Sequence, residues 1–313
     1  MKLSIVATLY RSTAYVAEFH RRSSAAAREL VGEDYEIILV NDGSPDNSLD
    51  VAIQLTEVDS HVAVVDLSRN FGHHKAMMTG LAHANGQRIF LIDSDLEEEP
   101  EWLLSFSRQM QKDNCDVVYG VQEQRKGGFF ERLSGQLFYR IFRALTRLEL
   151  PDNIVVARLM TRRYVNALLL HGESEIFMAG LWVITGFNQQ RQVIKKHSTS
   201  ETTYTLRKKI SQLINSITSF SNTPLVGIFF IGCIILLLAC IYTAYLVANW
   251  LFLALPPSGY TSLMASIWLL GGMITAFIGV VGIYLSKIYS ETKNRPYTIV
   301  RRIYGKYVDK EVS

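Results

Sequence analysis

Arg88-Ile89-Phe90-Leu91-Ile92-Asp93-Ser94-Asp95-Leu96-Glu97-Glu98-Glu99-Pro100-Glu101-Trp102 is an apolar run that ends abruptly in two carboxylates one residue apart. Ile89 to Ile92 reads as a buried strand. At the carboxyl end of a strand in an open α/β sheet, Asp93 and Asp95 can both turn toward the crevice where such sheets bind ligands. Hard oxygen ligands of this kind suit Mg²⁺ or Mn²⁺, which a nucleoside-diphosphate substrate would share. Alone, Asp-x-Asp is a weak signal, because acidic pairs occur in many solvated loops. Glu97 to Glu99 before Pro100 also fit an ordinary helix start, where carboxylates favour the positive end of the dipole. Position strengthens the pair: a second apolar strand upstream ends in Asn41-Asp42-Gly43-Ser44.

On the amino-terminal side, strands alternate with helices. Lys2 to Leu9 is a strand candidate leading into Tyr10-Arg11-Ser12-Thr13, where Ser12 or Thr13 can cap a helix running to about Leu30. Tyr35 to Val40 is the second strand, Asn41 to Asp46 a strong turn, and a helix follows from about Ser48 to Glu57. Val62 to Leu67 gives a third strand. Ser68-Arg69-Asn70-Phe71-Gly72-His73-His74-Lys75 then precedes a helix expected over Ala76 to Ala84. The adjacent histidines invite a metal reading, but neighbouring side chains diverge on a helix and no Cys or carboxylate completes a site at ligand spacing. Polar groups at a helix start beside an anion fit better, with Lys75 and the helix amides facing a diphosphate. The alternation indicates βαβ units and a mostly parallel sheet.

Beyond the acidic pair, Trp102 to Met110 reads as helix and Val117 to Val121 as strand. A glycine-broken basic stretch, Gln122 to Arg132, leads into a helix carrying Phe138, Tyr139, Ile141 and Phe142 with Arg132, Arg140, Arg143 and Arg147. That helix fits a membrane surface or an ordinary half-buried position with a solvated basic face; the apolar region downstream favours the membrane. Arg158 to Tyr164 reads as a strand end followed by a helix to about Leu170, and Gln192 to Lys195 resembles an edge strand.

At 313 residues with a formal net charge of +3, the total gives no sign of nucleic-acid binding. The distribution says more: from Ile210 to Ser286 there is no Asp, Glu, Lys, Arg or His. Leu225 to Leu255 exceeds the roughly 20 residues a bilayer span needs, Pro256-Pro257-Ser258-Gly259-Tyr260 breaks it, and Ser262 to Ser286 supplies a second span. Gly271, Gly272, Gly279 and Gly282 offer small faces for helix contact. Basic residues dominate both flanks, Asn188 to Lys209 and Lys287 to Ser313, so both ends are expected on the cytoplasmic side. Leu206 to Phe220 is expected along the inner surface. Cys115, Cys233 and Cys240 form no pattern and read as reduced thiols, and no cleavable signal is expected.

Val40-Asn41-Asp42-Gly43-Ser44, Leu67-Ser68-Arg69-Asn70-Phe71-Gly72, Asp93-Ser94-Asp95-Leu96, Tyr119-Gly120-Val121 and Arg132 to Tyr139 together resemble the family-2 glycosyltransferases. The similarity is to the branch of dolichyl-phosphate mannose synthase and the bacterial polyprenyl-phosphate hexosyltransferases. Ser219-Phe220-Ser221, Pro224-Leu225, the apolar spans and Lys293-Asn294-Arg295-Pro296 extend it over nearly the whole chain.

The resemblance implies a GT-A domain over 1–205, an interfacial helix over 206–223, transmembrane helices over 224–255 and 262–286, and a basic cytoplasmic tail over 287–313. It implies an inverting transfer of sugar from a nucleotide sugar, a UDP-hexose or UDP-N-acetylhexosamine, to undecaprenyl or another polyprenyl phosphate. The setting would be the bacterial inner membrane, multi-pass, serving O-antigen or other cell-surface glycans, with a homo-oligomer, a tetramer, as the assembly. Thr8, Tyr10, Asp42, Arg69, Lys75 and Asp93 would bind the donor, with Asp42 at the base or ribose and Asp93 by the ribose or diphosphate. Asp95 with Glu97 would hold Mg²⁺ or Mn²⁺. Arg125, Arg132 and Arg158 would take the acceptor phosphate. Two departures concern the donor: Thr8-Leu9-Tyr10-Arg11-Ser12 keeps only the Tyr of the relatives' Pro-x-Tyr-Asn-Glu, and Val155-Val156-Ala157-Arg158 replaces Gly-Asp-Phe-Arg. A processive polysaccharide synthase would share the donor domain, but Gln189-Gln190-Arg191 lacks the Trp of its acceptor motif. A non-catalytic membrane scaffold retaining the fold is the other alternative.

Overall fold

The computed structural model describes residues 1–122, 144–146, 151, 153–173, 176–195, 218, 221–253 and 259–305. Arg125, Arg132, the basic aromatic helix around Phe138 and nearly all of the interfacial segment 206–220 lie outside the described residues. The described chain divides into two compact units, one holding 1–122, 153–195 and 295–305, the other holding 144–146, 221–253 and 259–294.

In the first unit β1 (Leu3–Leu9), α1 (Val16–Val31), β2 (Tyr35–Asn41), α2 (Ser48–Val58), β3 (Val62–Leu67), α3 (His73–His83) and β4 (Arg88–Leu91) follow one another as the alternation predicts. Then come α4 (Trp102–Asp113), β5 (Val117–Gln122), β6 (Ile154–Thr161), α5 (Arg162–Leu168), α6 (Met178–Ile184) and β7 (Gln189–Ile194). One eight-stranded sheet results, in the order β7-β5-β6-β4-β1-β2-β3-β8, with β8 (Val300–Gly305) as its last strand. β4, β1, β2 and β3 are parallel, whereas β6 runs antiparallel to both β4 and β5. Every residue of β1, β2 and β3 is buried, because helices cover both faces of a parallel sheet. Phe90 of β4 meets Phe106 of α4 edge-on at 6.1 Å in the core.

Local chemistry corrects two boundaries. Neither Ser12 nor Thr13 caps a helix with its side chain; α1 starts at Val16, and the Ser12 carbonyl accepts from the amides of Tyr15 and Val16. Helix α3 begins at His73, three residues before the expected start at Ala76, directly after Gly72 in the left-handed region at φ 103°.

The second unit contains two long helices, α7 (Thr223–Leu253) and α8 (Tyr260–Thr292). Of these, the stretch Leu269–Thr292, 24 residues of mean hydropathy 2.0, is long and apolar enough to cross a membrane. Among the described residues this is the one helix that meets the measure, the apolar part of α7 among those residues being Thr223–Ala239. That helix also extends past the expected end at Ser286.

Within the basic tail, residues 295–305 belong to the first unit, and β8 pairs antiparallel with β3 from Ala63↔Gly305 to Leu67↔Val300. Gly305 is obligatory there: its φ is +86°, and an added Cβ would lie 2.4 Å from the Val62 carbonyl oxygen.

Candidate active site

The carboxyl ends of β1, β2, β3 and β4 lie side by side, and the loops leaving them form the site. Ser94 settles how the acidic pair is presented. It is buried, its hydroxyl donates to the Thr8 carbonyl at 2.8 Å, and it sits 3.2 Å from the Ser12 hydroxyl. With the middle residue pinned inward, Asp93 and Asp95 on either side remain partly exposed. The chain then turns sharply at Leu96, a non-glycine residue at φ 60°, and the Glu97 amide donates to Asp95 Oδ1 at 3.0 Å.

His73, the first residue of α3, joins this cluster. Its Nδ1 lies 3.0 Å from Thr8 Oγ1 and its Nε2 lies 3.2 Å from Asp93 Oδ1. Crowding in the crevice disfavours the charged ring, but the bond to Asp93 and the charges of Asp93, Asp42 and Asp95 outweigh it, so His73 titrates above its ordinary 6.5. The neighbouring His74 points elsewhere: its Nδ1–H donates to the Ile176 carbonyl at 3.1 Å, and burial lowers its pKa.

Two further loops close the crevice on the β2–β3 side. Asp42 is 3% exposed, and its two carboxylate oxygens accept from the amides of Phe71 at 2.7 Å and Gly72 at 3.0 Å. Burial raises its pKa despite those amides. Asp42 thereby fastens the Ser68–Gly72 loop. The turn at Gly43 presses against the same loop, since an added Cβ would stand 2.4 Å from the Asn70 nitrogen at φ +59°. Asp46 ties the β1 and β2 loops together by accepting from the hydroxyls of Thr13 and Ser48 at 2.6 Å and of Ser44 at 2.5 Å. Burial works against that carboxylate, yet these bonds hold its pKa far below the ordinary range. At the rim stand Tyr10, 47% exposed, and Arg69, whose guanidinium lies 4.0 Å from the Phe71 ring centroid; Lys75 is half-buried in the first turn of α3.

The model of the family "Glycosyl transferase family 2" matches residues 4–169, which contain all of these loops. The chain belongs to glycosyl transferase family 2. The transferase is 48% identical over 305 residues to a protein of Mycobacterium tuberculosis named among glycosyltransferases, covering 97% of this chain and 89% of that relative. It is 30% identical over 306 residues to the "Prophage bactoprenol glucosyl transferase homolog" of Escherichia coli, covering 97% and 99% of the two chains. It is likewise 30% identical over 305 residues to the "Bactoprenol glucosyl transferase" of Shigella phage SfII, covering 96% and 98%. Among solved structures, Staphylococcus aureus TarS in complex with UDP-GlcNAc aligns over 70% of this chain and 66% of that chain, at 16% identity and a TM-score of 0.47. That likeness is too distant to transfer a ligand. The transferase has a GT-A-like α/β fold with a mostly parallel sheet.

No group of three or more His, Cys, Asp or Glu among the described residues is arranged to hold a metal by itself. The two partly exposed carboxylates still fit a cation of the Mg²⁺ class, which takes one or two carboxylates and draws its remaining ligands from water and substrate phosphates. Glu97, the expected companion of Asp95, is only 8% exposed. Its neighbour Glu98 is fully buried and accepts from the amides of Val156 at 3.1 Å and Ala157 at 2.8 Å, fastening the acidic loop to β6.

Arg158 of the transferase is not offered to an acceptor at the surface. It is 0% exposed, its guanidinium lies 2.9 Å from the Trp182 ring centroid, and it donates to the carbonyls of Val155 and Val156. Burial brings its pKa down to about 9. The sequence reading missed His73, Ser94 and Glu98. Only the order strand, Gly72, helix start pointed toward His73, whose partner Thr8 lies 65 residues away in the chain.

Proposed function

We propose that this transferase moves a sugar from a nucleotide sugar, a UDP-hexose or UDP-N-acetylhexosamine, to the phosphate of a polyprenyl phosphate such as undecaprenyl phosphate. The observation that carries the reading is the Asp93–Ser94–Asp95 segment just past the carboxyl end of β4, with Ser94 turned in and both carboxylates partly exposed. The names of the relatives that align along almost the whole chain support the lipid acceptor. Leu269–Thr292 and the uncharged stretch around it support a membrane anchor, read as a hairpin with both basic flanks on the cytoplasmic side.

Tyr10, Arg69, Lys75 and the amino end of α3 line the donor side, where a ring, cations and helix amides suit a base and a diphosphate. Asp95, with Asp93 and Glu97 beside it, would hold a divalent cation. When bound, Mg²⁺ or Mn²⁺ supplies neutralisation of the charge on the leaving diphosphate. Arg125 and Arg132 are assigned to the acceptor phosphate from the sequence. A phosphate monoester is already ionised near neutral pH, so its oxygen needs no dedicated base to attack the anomeric carbon. The new bond forms on the face opposite the diphosphate, the old carbon–oxygen bond breaks with its electrons leaving on the nucleoside diphosphate, and the configuration inverts.

The test is a panel of nucleotide sugars with undecaprenyl phosphate, read by mass spectrometry of the lipid. A hexosyl- or N-acetylhexosaminyl-phospholipid is the expected product. Asp95→Ala is expected to abolish its formation while the melting temperature holds, because a partly exposed carboxylate is lost and no core group. Full turnover in Asp95→Ala or in excess EDTA would refute the metal assignment, and absence of any lipid product across the panel would refute the acceptor.

A further inference from the structure

The segment that follows the apolar helix makes four contacts with the end of β3, Ser68 and α3, and no step above uses it. The Ile299 carbonyl accepts from the Ser68 amide at 2.9 Å. Arg301 donates through one guanidinium nitrogen to the Ser68 carbonyl at 2.5 Å, and its other terminal nitrogen lies 3.5 Å from Asp66 Oδ2. Asp66 is 1% exposed, and its Oδ1 is taken by the Asn41 amide at 2.8 Å. Thr298 Oγ1 lies 2.8 Å from Thr79 Oγ1 in α3. Since the Thr79 hydroxyl already donates to the Lys75 carbonyl, Thr298 must be the donor of that pair.

These contacts converge on both ends of the piece that presents Arg69, His73 and Lys75. Ser68 begins the loop and is held by Ile299 and Arg301; Thr79 lies in the helix that the loop feeds and is held by Thr298. Asp42 grips the middle through the amides of Phe71 and Gly72. Without the returning segment, Asp66 would keep its bond from the Asn41 side-chain amide, and the Ser68 amide would lose its acceptor.

We propose that residues 297–305 are a positioning element of the donor site, clamping the Ser68–Gly72 loop and the first turns of α3 in the geometry that receives the nucleotide. The inference rests on the donor-side reading above and adds to it a dependence on chain that lies beyond the apolar helix. Arg301 and Thr298 act through the loop and are not expected to touch substrate.

The experiment uses the full-length protein in lipid nanodiscs, with Arg301→Ala and Thr298→Val compared with wild type. Thr298→Val removes one hydroxyl and keeps the volume, so it decides the matter alone if Arg301→Ala does not fold. Two readouts are taken: amide hydrogen exchange across 68–76, and UDP affinity by calorimetry. The expected result is faster exchange confined to 68–76 with UDP affinity weakened roughly three- to tenfold, while KM for undecaprenyl phosphate stays at the wild-type value. Unchanged exchange in a folded variant overturns the clamp. Faster exchange with unchanged UDP affinity overturns its role in donor binding, and equal loss on donor and acceptor shows general damage and also overturns it. A wild type that bound no UDP would refute the donor reading instead, and exchange across 68–76 would still judge whether the returning segment holds the loop.

Discussion

Replacing His73 by Ala removes a ring that bridges two strand ends, and the structure sets the size of the effect. The Nε2–Asp93 contact is 3.2 Å long, between side chains 46% and 20% exposed. A hydrogen bond to a charged group contributes about 1.5–3 kcal/mol when well enclosed, and solvent screening at this exposure reduces it to about 1 kcal/mol. Donor affinity is therefore expected to fall about fivefold if Asp93 must be held in place to bind the nucleotide. Calorimetric titration with UDP measures this, and His73→Gln, whose amide can reach toward Asp93, should recover part of the loss. The pH dependence carries a sign. A pKa raised above 6.5 means the His73–Asp93 contact contributes in full below pH 6.5 and is lost as pH rises through the raised value. The gap in melting temperature between wild type and His73→Ala should thus be wider at pH 6 than at pH 9. Unchanged UDP affinity in His73→Ala, or a gap that widens with pH, would show that the bridge does not organise the site.

Two other substitutions probe how the loops are fastened, one in the acidic loop and one at the amino end of β3. Glu98→Ala leaves the amides of Val156 and Ala157 without their buried carboxylate and should cost about 2–4 kcal/mol, read from the urea midpoint; a loss under about 1 kcal/mol would mean those amides find other partners. Asp59 titrates down at about 2 against an ordinary 3.8, because its bonds to the His61 amide and to the His20 and His61 rings outweigh burial. Its contribution, about 2 kcal/mol, is present above pH 3.8 and lost as pH falls through 2, so the stability gap to Asp59→Asn should close over that interval in acid-unfolding curves.

The long local patterns were legible in the sequence. Val62 to Leu67 and its neighbours are continuous apolar runs because a strand covered on both faces admits no polar alternation, and the alternating helices follow from that. The acidic pair was legible for the same reason: carboxylates placed just past a buried strand have only the strand end to occupy. The apolar stretch marked a helix, Leu269–Thr292, that is long and apolar enough to cross a membrane. Only the tertiary structure decided the rest, because it depends on partners far apart in the chain. Val300–Gly305 reads as a basic tail, since a partly exposed edge strand carries Arg301 and Arg302 without betraying that it pairs; its pairing with β3 is set by a register no local pattern encodes. Asp42 and Asp93 look alike in sequence as acids after strands. The fold separates them, enclosing Asp42 against two backbone amides and leaving Asp93 open beside His73, because amide groups brought in by the third loop satisfy one carboxylate and a side chain at a helix start meets the other.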